Sequence, residues 1–426
     1  MIRILRSIGN GAAPWWRRYD LSRGFWLFFT AALCWDAGFG LYFFLFNLYL
    51  VDFHLNERAI GLINGALSLG LVAGTLPAGI LTRRIGARRL LLLCFLGAPV
   101  LGVLRAVFVW EPAAIALAFV AGVVMCIWMV CFLPVTASLT LESNRAAATG
   151  LIFSVGVGTT ALGAAVSGYL SQWVGMLGSG MGPGDVKRIV LLMSSGVVAL
   201  GAIPLIRLPE THSAPTEAVA VGDHFALLRS SFLRRFLPCM ALWSALLGAF
   251  TPFAAVYFAT QRHVPLSHVG LIFSASQLAQ LMGGLLVPVV ERALGMMKGI
   301  LVFQLATGIL LAFTAVSTEP AWCVVFFCGY SAAQWISSPA MYTLLMNNVA
   351  DADRAGASSL VMFSNSLLTA GATSGAGILL LHLGYPAVMI GFGAIECTLA
   401  IAFRWMIAER TAPIAVPAAV HADSTD

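Results

Sequence analysis

A carboxylate, Asp36, stands near the middle of the apolar stretch Phe25–Leu50, FWLFFTAALCWDAGFGLYFFLFNLYL. At about 1.5 Å rise per helical residue this stretch can cross a hydrocarbon core of roughly 30 Å. A carboxylate at that depth costs roughly 2.5–3.5 kcal/mol on insertion scales, so it should face protein or a wet cavity rather than lipid. Two chemistries fit it: a protonatable group in a transport pathway, or an acid that only bonds a neighbouring helix. Arg105 and Glu396 are further ionisable groups inside apolar runs. Arg105 is close enough to the end of its run to snorkel, which favours a structural role. The amides Asn47, Asn64, Gln277, Gln280, Gln334 and Asn365 could hydrogen-bond a solute or tie helices together. The rings of Trp35, Tyr42, Trp128, Trp243, Tyr257, Tyr330 and Trp335 could stack on an apolar or cationic solute, or simply pack against lipid.

The elements that must position these groups follow from composition. Of 426 residues, 60% are hydrophobic and 10% charged, far more apolar surface than a soluble core could use. Apolar runs recur near residues 25–50, 59–81, 90–110, 113–138, 147–173 and 189–206, then 236–260, 269–290, 299–316, 321–346, 356–381 and 387–406. The chain is thus predicted to be an all-α membrane protein with twelve transmembrane helices. Its expected parts are an N-terminal segment over 1–24, a six-helix half over 25–206, a polar linker over 207–235, a second six-helix half over 236–407 and a tail over 408–426. The start is basic but has no short apolar core before a small-residue cleavage site, so the first span is read as an anchor rather than a signal peptide. All eight cysteines fall inside apolar runs and indicate neither a disulfide nor a zinc framework, and no cofactor is expected.

Basic residues set the expected orientation, because short loops rich in Arg and Lys stay in the cytoplasm. Arg83, Arg84, Arg88, Arg89, Arg145, Arg207, Arg292, Lys298 and Arg354 gather at one face, against Arg58, Lys187, Arg188 and Arg262 at the other. Both termini are therefore expected to be cytoplasmic, in a multi-pass protein of the cell's inner membrane. This asymmetry accounts for the net charge of +6 without a nucleic-acid partner.

The halves also repeat. With an offset of about 209 positions, His54 meets His263, Gly61-Leu62-Ile63 meets Gly270-Leu271-Ile272, Arg83 and Gly86 meet Arg292 and Gly295, Arg145-Ala146 meets Arg354-Ala355, and Gly168 meets Gly377. Two parallel six-helix copies are one of the known transporter designs, with the solute site between them near the midplane.

The loop after the second run, GILTRRIGARR over Gly79–Arg89, resembles the signature G-x-L-x-D-R-x-G-R-R of the major facilitator superfamily. Gly79, Leu81, Arg84, Gly86 and Arg88 match it, with Arg89 closing the basic run, and ERALGMMK over Glu291–Lys298 is its echo in the second half. Arg83 takes the acidic position and Ala87 a basic one, so the charge latch that the family builds there is altered. The fifth run lacks the G-x-x-x-G-P-x-x-G-G pattern associated with exporters of the family. The resemblance implies that the first, fourth, seventh and tenth helices line a cavity, that the second, fifth, eighth and eleventh form much of the interface between halves, and that the third and twelfth are peripheral. With no Arg or Lys in the implied cavity helices there is no clamp for a phosphate or dicarboxylate, which favours neutral or cationic solutes.

The resulting expectation is a secondary transporter, a monomer in the lipid bilayer, working by alternating access on a small-molecule substrate and protons, and not an enzyme. Asp36 would carry the coupling proton, and export of small amphiphilic or cationic compounds is the leading activity. Uptake of a neutral nutrient such as a sugar is the alternative, and a non-transporting sensor or enzyme the remote one. No glycine-rich phosphate loop ending in Lys and Ser or Thr is present to support nucleotide-driven transport. The topology makes a direct prediction: single cysteines placed in the 207–235 linker and at His263 will react with an impermeant reagent from opposite sides of the membrane. Equal labelling of both from outside would overturn it.

Overall fold

Polar side chains cap the first two helices, and glycines at positive φ end the second helix of each half. The computed structural model describes residues 21–178, 180–209, 229–350 and 353–408. The first twenty residues, most of the expected linker and the tail beyond 408 lie outside the described residues. The first half comprises α1 (Arg23–Asp52), α2 (Glu57–Ile85), α3 (Ala87–Val107), α4 (Glu111–Ser138), α5 (Glu142–Leu177) and α6 (Pro183–Leu200), the last continued by a short helix, Ala202–Ile206. The second comprises α7 (Ser231–Val256), ending in a π-helical turn (Tyr257–Gln261), then α8 (Leu266–Leu294), α9 (Met296–Val316) and α10 (Pro320–Asn347). One continuous stretch, Arg354–Ala408, then bends at Gly384, whose φ of 76° divides it into α11 (354–383) and α12 (385–408). Among the described residues the architecture is twelve membrane helices in two parallel six-helix repeats.

Several helices outrun the apolar segments that predict them. The fifth run, 147–173, grows into α5 over Glu142–Leu177, and the sixth starts at Pro183 rather than 189. Hydropathy stops at the first polar residue, whereas the backbone ladder continues until a cap or a turn intervenes. Such caps are visible at α1 and α2, where Ser22 and Asn56 accept hydrogen bonds from the amides of Phe25 and Ala59.

The repeat is also geometric. Helices α2, α3 and α4 have the same bounds as α8, α9 and α10 after the 209-residue offset. Gly86 and Gly295 end α2 and α8 with φ of 85° and 75°, which only glycine adopts without strain. His54 and His263, at the opposite turns, both sit at positive φ, 60° and 52°. We use these turns to name the two ends of the bundle: the His54 end and the Gly86 end.

The halves meet closely at the His54 end. At Gly377 of α11 an added Cβ would stand 2.3 Å from the Glu57 carbonyl and 3.0 Å from the Gly61 Cα of α2. At its repeat mate, Gly168 of α5, an added Cβ would stand 2.8 Å from both the Leu266 carbonyl and the Ser267 Cα of α8. Gly61 and Gly270 complete the two seams, against α11 and α5 respectively. Hydrogen bonds cross nearby: Gln172 Nε2 donates to Ser267 Oγ at 2.9 Å, and Asn47 Nδ2 to the Pro252 carbonyl at 2.8 Å. Farther along these helices toward the Gly86 end, Gly79, Gly150 and Gly284 have nothing within 4 Å of where a Cβ would be. Gly163, by contrast, packs on Ala37 and Leu41 of α1, inside its own half.

Because both seams need bare backbone, Gly377→Leu or Gly168→Leu will disfavour closure at the His54 end, by about 1–3 kcal/mol as for other overpacked contacts. A cysteine in the cavity between the halves will then react faster from the His54 side. Unchanged labelling in both variants would show that the seams do not set the closed state.

Candidate functional site

Between the halves lies a cavity of about 280 Å³, near the lower end of the usual size for small-molecule sites. It is walled by α1, α5, α7, α8 and α10. Six phenylalanines line it, Phe39, Phe43, Phe44, Phe250, Phe273 and Phe327, together with Tyr330 and Trp335. Its polar groups are Gln277, Gln280 and Gln334 with the hydroxyls of Thr160, Thr251, Ser276 and Ser331, and no charged side chain lines it. The Gln334 amide nitrogen and the Tyr330 hydroxyl are buried beside it with no hydrogen-bond partner within bonding geometry.

Helix periodicity accounts for this wall. Ser276, Gln277 and Gln280 share one face of α8, and Tyr330, Ser331, Gln334 and Trp335 one face of α10, at spacings of three and four. Phe39 and Phe43 stack at 5.3 Å on α1 and form a partition. They also border a second, smaller cavity of about 70 Å³ inside the first half.

Of the residues singled out by type, Gln277, Gln280, Tyr330, Gln334 and Trp335 come together in the central cavity. Trp35, Tyr42, Asn47 and Asn64 border the smaller cavity instead. There the Tyr42 hydroxyl donates to the Gly102 carbonyl at 3.0 Å, and Asn64 Nδ2 donates to Asn47 Oδ1 at 2.9 Å. With the Asn47 bond to Pro252, these amides tie α1, α2 and α7 together.

Trp128 and Trp243 belong to neither cavity. Trp128 stacks on Trp35 at 5.4 Å and packs against Phe28 and Phe132 in the core of the first half. Trp243 is 1% exposed in the core of the second. Tyr257 is structural too: its hydroxyl donates to the Thr314 carbonyl at 3.0 Å and accepts from Arg262 Nε at 2.8 Å, closing the end of α9. Tyr49, Arg188 and the Ala106 carbonyl make the counterpart in the first half. Asn365 lies on α11 away from the cavity lining.

The phenylalanines and hydroxyls are what residue-type reasoning missed. Phenylalanine is ordinary in a span, and hydroxyls there usually bond their own helix, as Ser276 does to the Phe273 carbonyl. The available signal was the recurrence of serine and glutamine on one helical face.

Asp36 is partly buried on α1, with its carboxylate against Gly156 of α5; an added Cβ there would stand 2.6 Å from Oδ2. Asp36 precedes Phe39, Gly40 and Phe43 by three, four and seven residues, so it shares their face of α1, one turn nearer the Gly86 end. It does not itself line the central cavity.

The expectation that Arg105 snorkels fails, and Glu396, on the other helix expected to be peripheral, is buried as well. Arg105 is 5% exposed and turns inward, its guanidinium 4.1 Å from the centre of the Phe46 ring. Glu396 is fully buried, with neither carboxyl oxygen hydrogen-bonded. It lies in a seam where Gly308 of α9 and Gly393 of α12 let the two backbones touch, and an added Cβ at Gly308 would stand 3.2 Å from the Glu396 Cβ. Inward rotation, invisible in hydropathy, decides both cases.

In the loop of the family signature, Gly79 faces open space and Leu81 is half-buried, while Gly86 donates its amide to the Thr82 carbonyl at 3.1 Å. Arg83 and Arg84 fall in the last turn of α2, and Arg89 in the first turn of α3. Arg88 donates to the Ile206 carbonyl, where a cation complements the end of a helix.

Twelve helices among the described residues, paired as repeats around a central cavity, have the architecture of a membrane transporter. Residues 25–373 match the model of the Major Facilitator Superfamily, and the chain belongs to that family. Its fold is similar to that of the nucleoside transporter NupG, with a TM-score of 0.74 at 16% identity, covering 90% of this chain and 99% of that one. It is also similar to a bacterial homologue of the human lysosomal transporter Spinster in an inward-facing, unoccupied conformation, with a TM-score of 0.67 at 14% identity over 95% and 100% of the two chains. A bacterial homologue of the iron transporter ferroportin in an inward-facing state gives a TM-score of 0.68 at 14% identity, over 89% and 98%. No curated protein sequence matches the chain.

The geometry separates binding from scaffold. Gln277→Ala and Gln280→Ala will each weaken solute binding severalfold, in line with about 1 kcal/mol per hydrogen bond lost, while leaving the melting temperature unchanged. Trp243→Ala will do the reverse, costing about 3–5 kcal/mol of stability with little change in KM. Binding and thermal-melting assays on the three purified variants read both effects.

Proposed function

We propose that this chain is a proton-coupled secondary transporter that exports small, uncharged amphiphilic compounds by alternating access. The carrying observation is the lining of the central cavity, in which aromatic rings outnumber the glutamines and no side chain is charged. Such a wall recognises a solute mainly by stacking and apolar contact, with a few hydrogen bonds to orient it. A cationic solute is less favoured than the sequence suggested, because the nearest acid on α1 lies one turn outside the lining. The three glutamines support a second reading, uptake of a neutral polar solute such as a sugar or, by likeness to the nucleoside transporter, a nucleoside.

Asp36 supplies the proton step in this proposal. With the basic Gly86 end assigned to the cytoplasm, the described state is inward-facing and Asp36 stands beside its mouth. Closing that end brings α1 and α5 against further protein and removes water from the carboxylate. An ionised Asp36 opposes this desolvation, so bound solute supplies the energy of closure; the dehydrated carboxylate then takes a proton from the outer side and releases it to the cytoplasm when the end reopens, and proton entry alternates with solute exit. Gly156 gives the carboxyl room without offering it a cation.

Asp36→Asn will therefore abolish transport driven by a proton gradient and flatten its pH dependence, while the protein still folds in the membrane and exchanges solute downhill. Asp36→Glu will keep part of both. In inverted vesicles the parent will accumulate solute when the lumen is acidified; accumulation only in intact cells would make it an importer. Uphill transport by Asp36→Asn at the parent's rate would make the carboxylate structural and turn attention to Glu396.

A further inference from the structure

We propose that the smaller cavity, inside the first half, is a binding site for a compact monovalent anion, a halide or a short carboxylate, held by Arg105. The inference is independent of which solute the central cavity carries. Arg105 lies in the last turn of α3, at the His54 end, and is buried on all but 5% of its surface. Its guanidinium rests over the rings of Phe46 and Tyr42 of α1, at 4.1 and 5.7 Å. Its Nε is buried without a hydrogen-bond partner, and among the described residues no carboxylate comes within ion-pair distance of it.

A cation in that position is incomplete. Contact with ring faces offsets only a fraction of the cost of taking a guanidinium out of water, and the usual remedy is a paired anion. The protein supplies none, but it leaves a space of about 70 Å³ beside the guanidinium. The other polar groups around that space already use their donors. Asn64 Nδ2 donates to Asn47 Oδ1 and to the Ile60 carbonyl, Tyr42 to the Gly102 carbonyl, and Ser194 and Ser195 each to the Leu191 carbonyl. What remains unsatisfied in the wall is positive charge.

The size and sign of the space define the ligand. It admits a chloride or acetate-sized ion and excludes gluconate, and one guanidinium neutralises one charge. The Phe39 and Phe43 partition is common to this space and to the central cavity, so an anion here fixes one wall of the solute site without touching the solute.

The test uses the purified full chain in lipid nanodiscs with gluconate as background anion. Radiolabelled chloride will bind saturably at one site per chain, and unlabelled bromide will displace it while gluconate will not. Displacement by acetate as well marks a site for small carboxylates; its failure marks a halide site. Arg105→Gln will weaken binding at least tenfold, and Arg105→Lys will retain part of it. Since a misfolded variant would also lose binding, melting is measured alongside: chloride will raise the parent's melting temperature, and Arg105→Met will melt as high as the parent in gluconate but gain nothing from chloride. Absence of saturable chloride binding by the parent, or equal stabilisation of Arg105→Met by chloride, would overturn the proposal. Arg105→Met melting below the parent in gluconate would likewise make Arg105 a packing residue.

Discussion

The closest physical constraint in this molecule is the approach of bare backbone to bare backbone where the two halves meet. Gly377 lies against Glu57 and Gly61, and Gly168 against Leu266 and Ser267, at separations where a methyl group would collide with main chain. In a membrane, helices gain little from burying apolar surface, since lipid is as apolar as their side chains, and close packing takes over as the source of association. Two such seams, related by the repeat, hold the halves together at one end and leave their other ends free to part. The central cavity lies between the halves on the Gly86 side of those seams.

The three buried ionisable groups show how much an immediate neighbour decides. Asp36 is partly buried against a glycine, on the face of α1 that leads into the cavity. Arg105 is enclosed by rings and an unfilled space. Glu396 is enclosed by close-packed helices with no partner for either oxygen. Each is expensive in a membrane, but of the three only Asp36 lies on a helix that walls the central cavity, one turn from its lining. This difference in surroundings, rather than the charge itself, makes Asp36 the coupling candidate.

The central cavity combines soft and specific recognition. Phenylalanines from α1, α7, α8 and α10 give it adaptable apolar walls, and glutamines from α8 and α10 give it direction. A wall with no fixed charge avoids the cost of holding an unpaired charge in a low-dielectric site.

The sequence by itself determined the helices and their pairing. Long apolar runs leave the backbone no way to satisfy its hydrogen bonds in lipid other than a helix, and the 209-residue repeat was legible because its turns need particular residues, Gly86 and Gly295 at positive φ above all. The polar stripes of α8 and α10 were legible too, since glutamine is conspicuous in a span. Tertiary structure alone decided which way each helix turns its faces. It sent Trp128, Trp243 and Tyr257 into cores, brought six phenylalanines to the solute cavity, turned Arg105 and Glu396 inward, and set Gly163 against its own half while Gly168 crosses to the other. The physical reason is that a helix apolar all round carries no marked core face: when lipid, protein and cavity all accept the same side chains, only packing between helices selects among them.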